Sequence, residues 1–190
     1  MNMETAKLLD FIDPKNILTE MGLKDGDTVI DYASGAGHWS IRAAKLVAPR
    51  GKVLALENDI DMLNMVKGRA DLDKVTNLEI EEIDLEKGKS KKAKPADLVI
   101  VSNILYLINN KESFVKKAAE LVNENGKLLL VEFVPRKTIV GPPVEMRLSE
   151  EDVIRLFEKA GLHFACTVNA GWHHYGLIFD HKGAGCDWKK

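Results

Sequence analysis

Apolar positions along the chain change period several times, and each change marks an element. TVIDYA (28–33), KVLALE (52–57), ADLVIVSN (96–103) and KLLLVEFV (127–134) are short apolar runs, the pattern of strands buried on both faces. NLEIEEID (77–84) sets Leu78, Ile80 and Glu82 against acids, as a half-exposed strand does. HFACTVNA (163–170) and HYGLIFDH (174–181) lie so close that they should pair as an antiparallel hairpin.

Helical spacing fills the gaps between strands. Ile41, Ala44 and Ala48 recur over 37–48, and Met62, Met65 and Val66 fall on one side of 59–70. Phe114, Val115, Ala118 and Val122 share a face over 111–122, with Gly126 as the expected stop. Ser149 with Asp152 makes a capping box for SEEDVIRLFEKA (149–160), which Gly161 ends. Two short stretches lead in: ETAKLLDFI (4–12), then PKNILTEMGL (14–23), with Pro14 at a tolerated first-turn position. Strands alternating with helices predict an α/β fold, a mostly parallel seven-stranded sheet with helices on both faces and a C-terminal antiparallel hairpin.

Composition narrows the class without deciding it. The 190 residues are 45 % hydrophobic and 29 % charged, as expected of a globular domain, and one domain (1–182) accounts for nearly everything. Lys and Arg number 27 against 29 Asp and Glu, a net charge of −2 that gives no push toward nucleic acid or membrane. The basic stretch EKGKSKKAKP (86–95) lacks interleaved aromatics, so it reads as a solvated loop. No apolar run reaches membrane-spanning length. Cys166 and Cys186 make no disulfide framework and match no metal spacing, which fits a cytoplasmic setting. His181, Cys186 and Asp187 sit in a polar tail (183–190) read as a frayed end, and no metal site is expected.

The chemistry is concentrated after the first strand, in VIDYASGAGHW (29–39). Gly35 and Gly37 allow a sharp turn that presents backbone N–H groups at a helix N-terminus. A dinucleotide fingerprint would continue to a third small residue, where this chain has Ser40. Asp31, four residues before Gly35, would repel a pyrophosphate but suits a ligand with an amino group and a sulfonium.

Asp31-Tyr32-Ala33-Ser34-Gly35-Ala36-Gly37 resembles the D-x-G-x-G-x-G motif of class I S-adenosylmethionine-dependent methyltransferases, with Ala33 at the first glycine. The resemblance covers about residues 10–181 and is closest to the small ubiquinone/menaquinone-biosynthesis type. It implies a Rossmann-like fold and S-adenosylmethionine as cofactor. It also implies cofactor roles for Glu57 on the ribose hydroxyls and Asn58 beside them. Asp84 would take the adenine amino group, Leu85 would cover the ring, and Asn103 would lie under the methionine part. The N-terminal helices (1–23) become a lid and 135–148 a substrate-side loop.

No residue presents itself as a catalytic base. Tyr106, Arg147, His173 and His174 are candidates for the acceptor pocket, Arg147 for an anionic acceptor. Asn103-Ile-Leu-Tyr106 keeps the Asn and Tyr of an N-P-P-Y motif but lacks both prolines, which sets nucleic-acid methylation aside. A small-molecule acceptor methylated by in-line displacement is the leading expectation. A non-catalytic nucleotide-binding module and an NAD(P)-linked reductase are the alternatives, and the oligomeric state is left open.

Overall fold

The computed structural model describes residues 10–183 together with 185–186. Strands β1 (Thr28–Tyr32), β2 (Lys52–Glu57), β3 (Leu78–Glu82), β4 (Ala96–Ser102), β5 (Val122–Phe133), β6 (His163–Val168) and β7 (His174–Asp180) form one sheet. Its order is β3-β2-β1-β4-β5-β7-β6, parallel except for β7, which runs antiparallel to both neighbours. The helices are α1 (Pro14–Glu20), α2 (His38–Val47), α3 (Ile60–Leu72), α4 (Lys111–Glu120) and α5 (Glu150–Lys159).

The apolar runs are explained by burial on both sheet faces. Along β4, Val99 and Val101 join Ile30, Leu128 and Leu130 against α4 and α5. Leu98 and Ile100 join Val29, Val53 and Leu129 on the opposite face, under α1 and α2. Each such side chain contributes about 1.5–3 kcal/mol by leaving water, so the central strands fix the register of everything above them.

Several boundaries move for physical reasons. α3 buries Leu63, Val66 and Ala70 rather than the Met62 and Met65 face, and Met65 is exposed. α4 ends at Leu121, and the chain enters β5 at once, so Gly126 lies inside a strand and not at a helix stop. Pairing of β4 with β5 shifts between Ala96 and Leu98, and a Cβ on Gly126 would sit 2.6 Å from the Ala96 carbonyl oxygen. In the first predicted helix (4–12), residues 10–12 are not helical and the others lie outside the described residues. The two cysteines, whose spacing suggested no bond, form a disulfide with Cα atoms 5.9 Å apart. It ties the chain after β7 to β6, and Asp187 lies outside the described residues.

The crossover from β3 to β4 has no helix, whereas the other four parallel crossovers each have one. Glu81 pins the 86–95 loop instead, accepting from the Ser90 hydroxyl and from the N–H groups of Lys91 at 2.8 Å and Lys92 at 3.2 Å. Among the described residues, no helix is long and apolar enough to cross a membrane. Among those residues, too, no group of three or more His, Cys, Asp or Glu is arranged to hold a metal ion.

Candidate active site

β1 ends in a tight turn. Ala33 and Ser34 donate their N–H groups to the Leu56 carbonyl at 2.9 and 3.0 Å, and Gly37 N–H reaches back to Ser34 at 2.9 Å. Ala33, Gly35 and Gly37 all have left-handed backbone, φ 74°, 49° and 79°. A Cβ at Gly35 would project into open space, so that glycine leaves room in front of the turn. Gly37 serves a different purpose: a Cβ there would come within 2.9 Å of Val66, so it lets α2 approach α3. α2 starts at Gly37 with no side-chain cap and no acid in its first turn. Its positive end is left available to an anionic group.

Asp31 lies behind this turn rather than in front of it. The alternation of β1 puts it on the face covered by α2, where it is 1 % exposed and accepts a hydrogen bond from the Ser40 hydroxyl. Burial pushes its carboxyl up to about 6, opposed by the Ser40 bonds and reinforced by the Glu57 charge.

Glu57 closes the turn from β2. Its Oε2 accepts from Gly35 N–H at 2.8 Å; its Oε1 accepts from Asn58 N–H at 2.8 Å and Asp59 N–H at 3.3 Å. A carboxylate offers about four acceptor sites, so three backbone donors leave little spare. Asp59, not Asn58, caps α3, accepting from the N–H groups of Asp61 and Met62. Arg69 donates to the Ala36 carbonyl at 2.8 Å and braces the turn from α3.

These elements surround a cleft of about 540 Å³ at the carboxyl ends of the parallel strands. Ala33, Gly35, Glu57, Asn58 and Asn103 line it, so five of the nine sequence-predicted cofactor residues meet there. Ser34, His38, Trp39, Met62, Ile104 and Leu107 line it too, with Ile12 and Pro14 arriving from the N-terminal segment. Ser34 Oγ and Asn103 Oδ1 are buried at this lining with no hydrogen-bond partner. Asn103 is also held at φ 54°.

Four predicted cofactor residues stay outside the lining, Asp31 and Gly37 for the reasons above. Asp84 is exposed and its Oδ1 accepts from Glu86 N–H at 2.9 Å and Lys87 N–H at 2.8 Å. Those backbone bonds hold its carboxyl below the usual range. Leu85 is buried beneath, its carbonyl accepting the Tyr32 hydroxyl at 2.8 Å.

The predicted acceptor residues gather around Phe133 at the end of β5, none of them in the cleft lining. Tyr106 meets the Phe133 ring edge-on at 6.1 Å, and His174 packs on it at 4.3 Å. Both ring nitrogens of His174 are buried without a partner, and burial, His173 and Arg147 push its pKa down to about 4, so the ring is neutral. His173 is buried next to it and stacks with Phe11 at 5.1 Å. Arg147 is committed to its own loop, which corrects its reading as an anion holder. Its guanidinium donates to the carbonyls of Pro142, Val134, Arg136 and Val140 and to the Thr138 hydroxyl. Glu132, which sequence reasoning passed over, is buried at the end of β5 and accepts from Ile104 and Leu105 N–H.

A family model described as a methyltransferase domain matches residues 23–180. The chain belongs to the methyltransferase domain family. This methyltransferase domain is 30 % identical over 114 residues to a ubiquinone/menaquinone biosynthesis C-methyltransferase UbiE from Pseudomonas fluorescens, covering 59 % of this chain and 44 % of the relative. It is 24 % identical over 131 residues to a demethylmenaquinone methyltransferase from Oceanobacillus iheyensis, covering 67 % of this chain and 52 % of the relative. The chain therefore spans about half the length of these curated relatives. The crystal structure of a SAM dependent methyltransferase from Aquifex aeolicus shares its fold, with a TM-score of 0.81 at 24 % identity over 94 % of this chain and 93 % of that one.

Proposed function

We propose that this methyltransferase domain transfers the methyl group of S-adenosylmethionine to a small-molecule acceptor. One observation carries the reading: Ser34 Oγ and Asn103 Oδ1 wait unpartnered in the cleft, next to an uncapped helix N-terminus. An amino-acid moiety fits that arrangement, its ammonium meeting the oxygens and its carboxylate meeting α2. Glu57 and Asn58 then face the ribose, and Met62, Ile104 and Leu107 supply apolar contact for the adenosyl part.

S-adenosylmethionine supplies a methyl group already activated on a sulfonium, open to in-line displacement. The chain's own task is alignment and exclusion of water. The glycine turn fixes one end of the cleft and the 103–107 segment the other, while Ile12 and Pro14 lie across it as a lid. The Phe133 cluster, with Tyr106, His173 and His174, is the proposed acceptor side, and Arg147 shapes its loop. The resemblance of this chain to quinone-pathway methyltransferases supports a planar acceptor of modest size.

Calorimetry with S-adenosylhomocysteine and with NADH tests the donor, and methyl transfer to a panel of phenols, thiols and amines tests the reaction. Binding of S-adenosylhomocysteine together with turnover is expected. Binding of NADH alone would replace the reading with a reductase. Binding without turnover across the panel would favour a non-catalytic module.

A further inference from the structure

The second half of β5 is apolar on both faces apart from one residue near its end. Glu132 is 3 % exposed and does not line the cleft. A buried carboxylate is costly to keep unless hydrogen bonds repay the lost water. Here Oε1 accepts from the backbone N–H of Ile104 at 2.8 Å and of Leu105 at 2.7 Å.

Those two donors sit directly after Asn103, the residue held at φ 54° with its Oδ1 buried and unpartnered at the cleft. Left-handed backbone is uncommon outside glycine, and Asn is among the residues that adopt it most readily, so its neighbours need only select it. On the strand side, Asn103 N–H donates to the Val131 carbonyl at 2.8 Å. On the other side, Glu132 takes the next two N–H groups, so the left-handed residue is gripped at both ends.

We infer that Glu132 is a positioning residue, holding the 103–107 turn so that Asn103 Oδ1 faces the ammonium of the bound methyl donor. It touches neither donor nor acceptor. The inference rests on the cleft being the S-adenosylmethionine site. Lys111 on α4 favours the ionised form of Glu132, and Tyr106 and Tyr175 face it as hydroxyls. Burial pushes the carboxyl up to about 7. Charge-assisted hydrogen bonds are roughly twice as strong as neutral ones, so the grip loosens as pH falls through neutrality.

The test is S-adenosylhomocysteine titration of the wild type, Glu132→Ala and Glu132→Gln between pH 6 and 8. Glu132→Ala should bind at least about tenfold more weakly at pH 8. Glu132→Gln, whose amide oxygen can accept both N–H groups, should recover most of that loss. The wild type should lose affinity several-fold on acidification. Asp31 titrates in both proteins, so the steeper profile of the wild type against Glu132→Gln is the signature. Wild-type affinity in Glu132→Ala, or identical pH profiles for the wild type and Glu132→Gln, overturns the inference and leaves the cleft reading standing. If Glu132→Ala does not fold, the pH comparison alone decides. Failure of the wild type to bind overturns the cleft reading and this inference with it.

Discussion

The two halves at the carboxyl end of the sheet are built in opposite ways. Around β1 and β2, the glycine turn, Glu57 and α2 leave polar groups facing an open cleft, among them Ser34 Oγ. Around β5 and β7, polar groups are spent on the chain itself: Arg147 alone serves four carbonyls and a hydroxyl of its loop. The exception there is His174, whose ring nitrogens face no partner under that loop. The half around β1 and β2, the donor half of the proposed function, is thus preformed, whereas the half around β5 and β7, the acceptor half, is folded upon itself. On the proposed function, binding of the methyl donor needs little rearrangement, and admission of the acceptor needs the 135–147 loop to move.

Two carboxylates are buried beneath this end of the sheet, Asp31 under the glycine turn and Glu132 at the end of β5, and pH probes both together. Asp31 and Glu132 are pushed up to about 6 and about 7 from 3.8 and 4.5, so the folded state holds protons that the unfolded chain has released. Stability is therefore fullest below about pH 4 and is lost as pH rises from there through 6 and 7, on the order of 3 kcal/mol for each group. Thermal unfolding should show a higher midpoint at pH 5.5 than at 7.5. Asp31→Asn and Glu132→Gln should each flatten part of that slope; an unchanged slope in both would show that neither carboxylate holds its proton in the folded state.

Substitution of Gly35 attacks the donor half alone. Gly35→Val puts a β-branched residue at φ 49° with its side chain in the cleft. S-adenosylhomocysteine binding should fall by about a hundredfold, roughly 2.7 kcal/mol, with the fold retained by circular dichroism. Undiminished binding would mean that the cleft is not the donor site.

Arg147→Ala attacks the acceptor half. Losing its hydrogen bonds should cost about 2 kcal/mol in denaturant unfolding and open the 135–147 loop to limited proteolysis. S-adenosylhomocysteine affinity should stay within about twofold of wild type. Lysine should not rescue it, because a point charge cannot reproduce the planar fork. A large loss of S-adenosylhomocysteine affinity would show that the 135–147 loop, too, bears on the donor cleft.

Most of the fold was legible because burial imposes a period, and the apolar runs of β1, β2, β4 and β5 keep it. The cleft at β1 and β2 was legible because its motif is local: Ala33, Gly35, Glu57 and Asn58 line it within a few residues of a strand end. Gly37 misled because a glycine at a close approach looks the same whether the neighbour is a ligand or Val66. Asp84 lies outside the cleft lining, and a strand-end acid can equally cap the turn that follows, as its bonds from Glu86 and Lys87 N–H show. Arg147 was opaque, since its acceptors are backbone carbonyls that no sequence pattern names. Glu132 did leave a signal, as the one acid inside KLLLVEFV, and a lone charge in a buried strand requires a partner.

The helix-less crossover between β3 and β4 has its own consequence. β3 is an edge strand, half-buried to exposed along its length, and the segment that follows is tied down by a few polar anchors: Glu81 of β3, Lys117 of α4, which donates to the Glu86 and Gly88 carbonyls, and Glu86, which accepts from Asn110 N–H. β4, by contrast, lies between two parallel neighbours with nearly every side chain buried. Local opening free energies track such differences. Amides of β3 and the 86–95 loop should therefore exchange before those of the central strands, an order that hydrogen exchange reads directly.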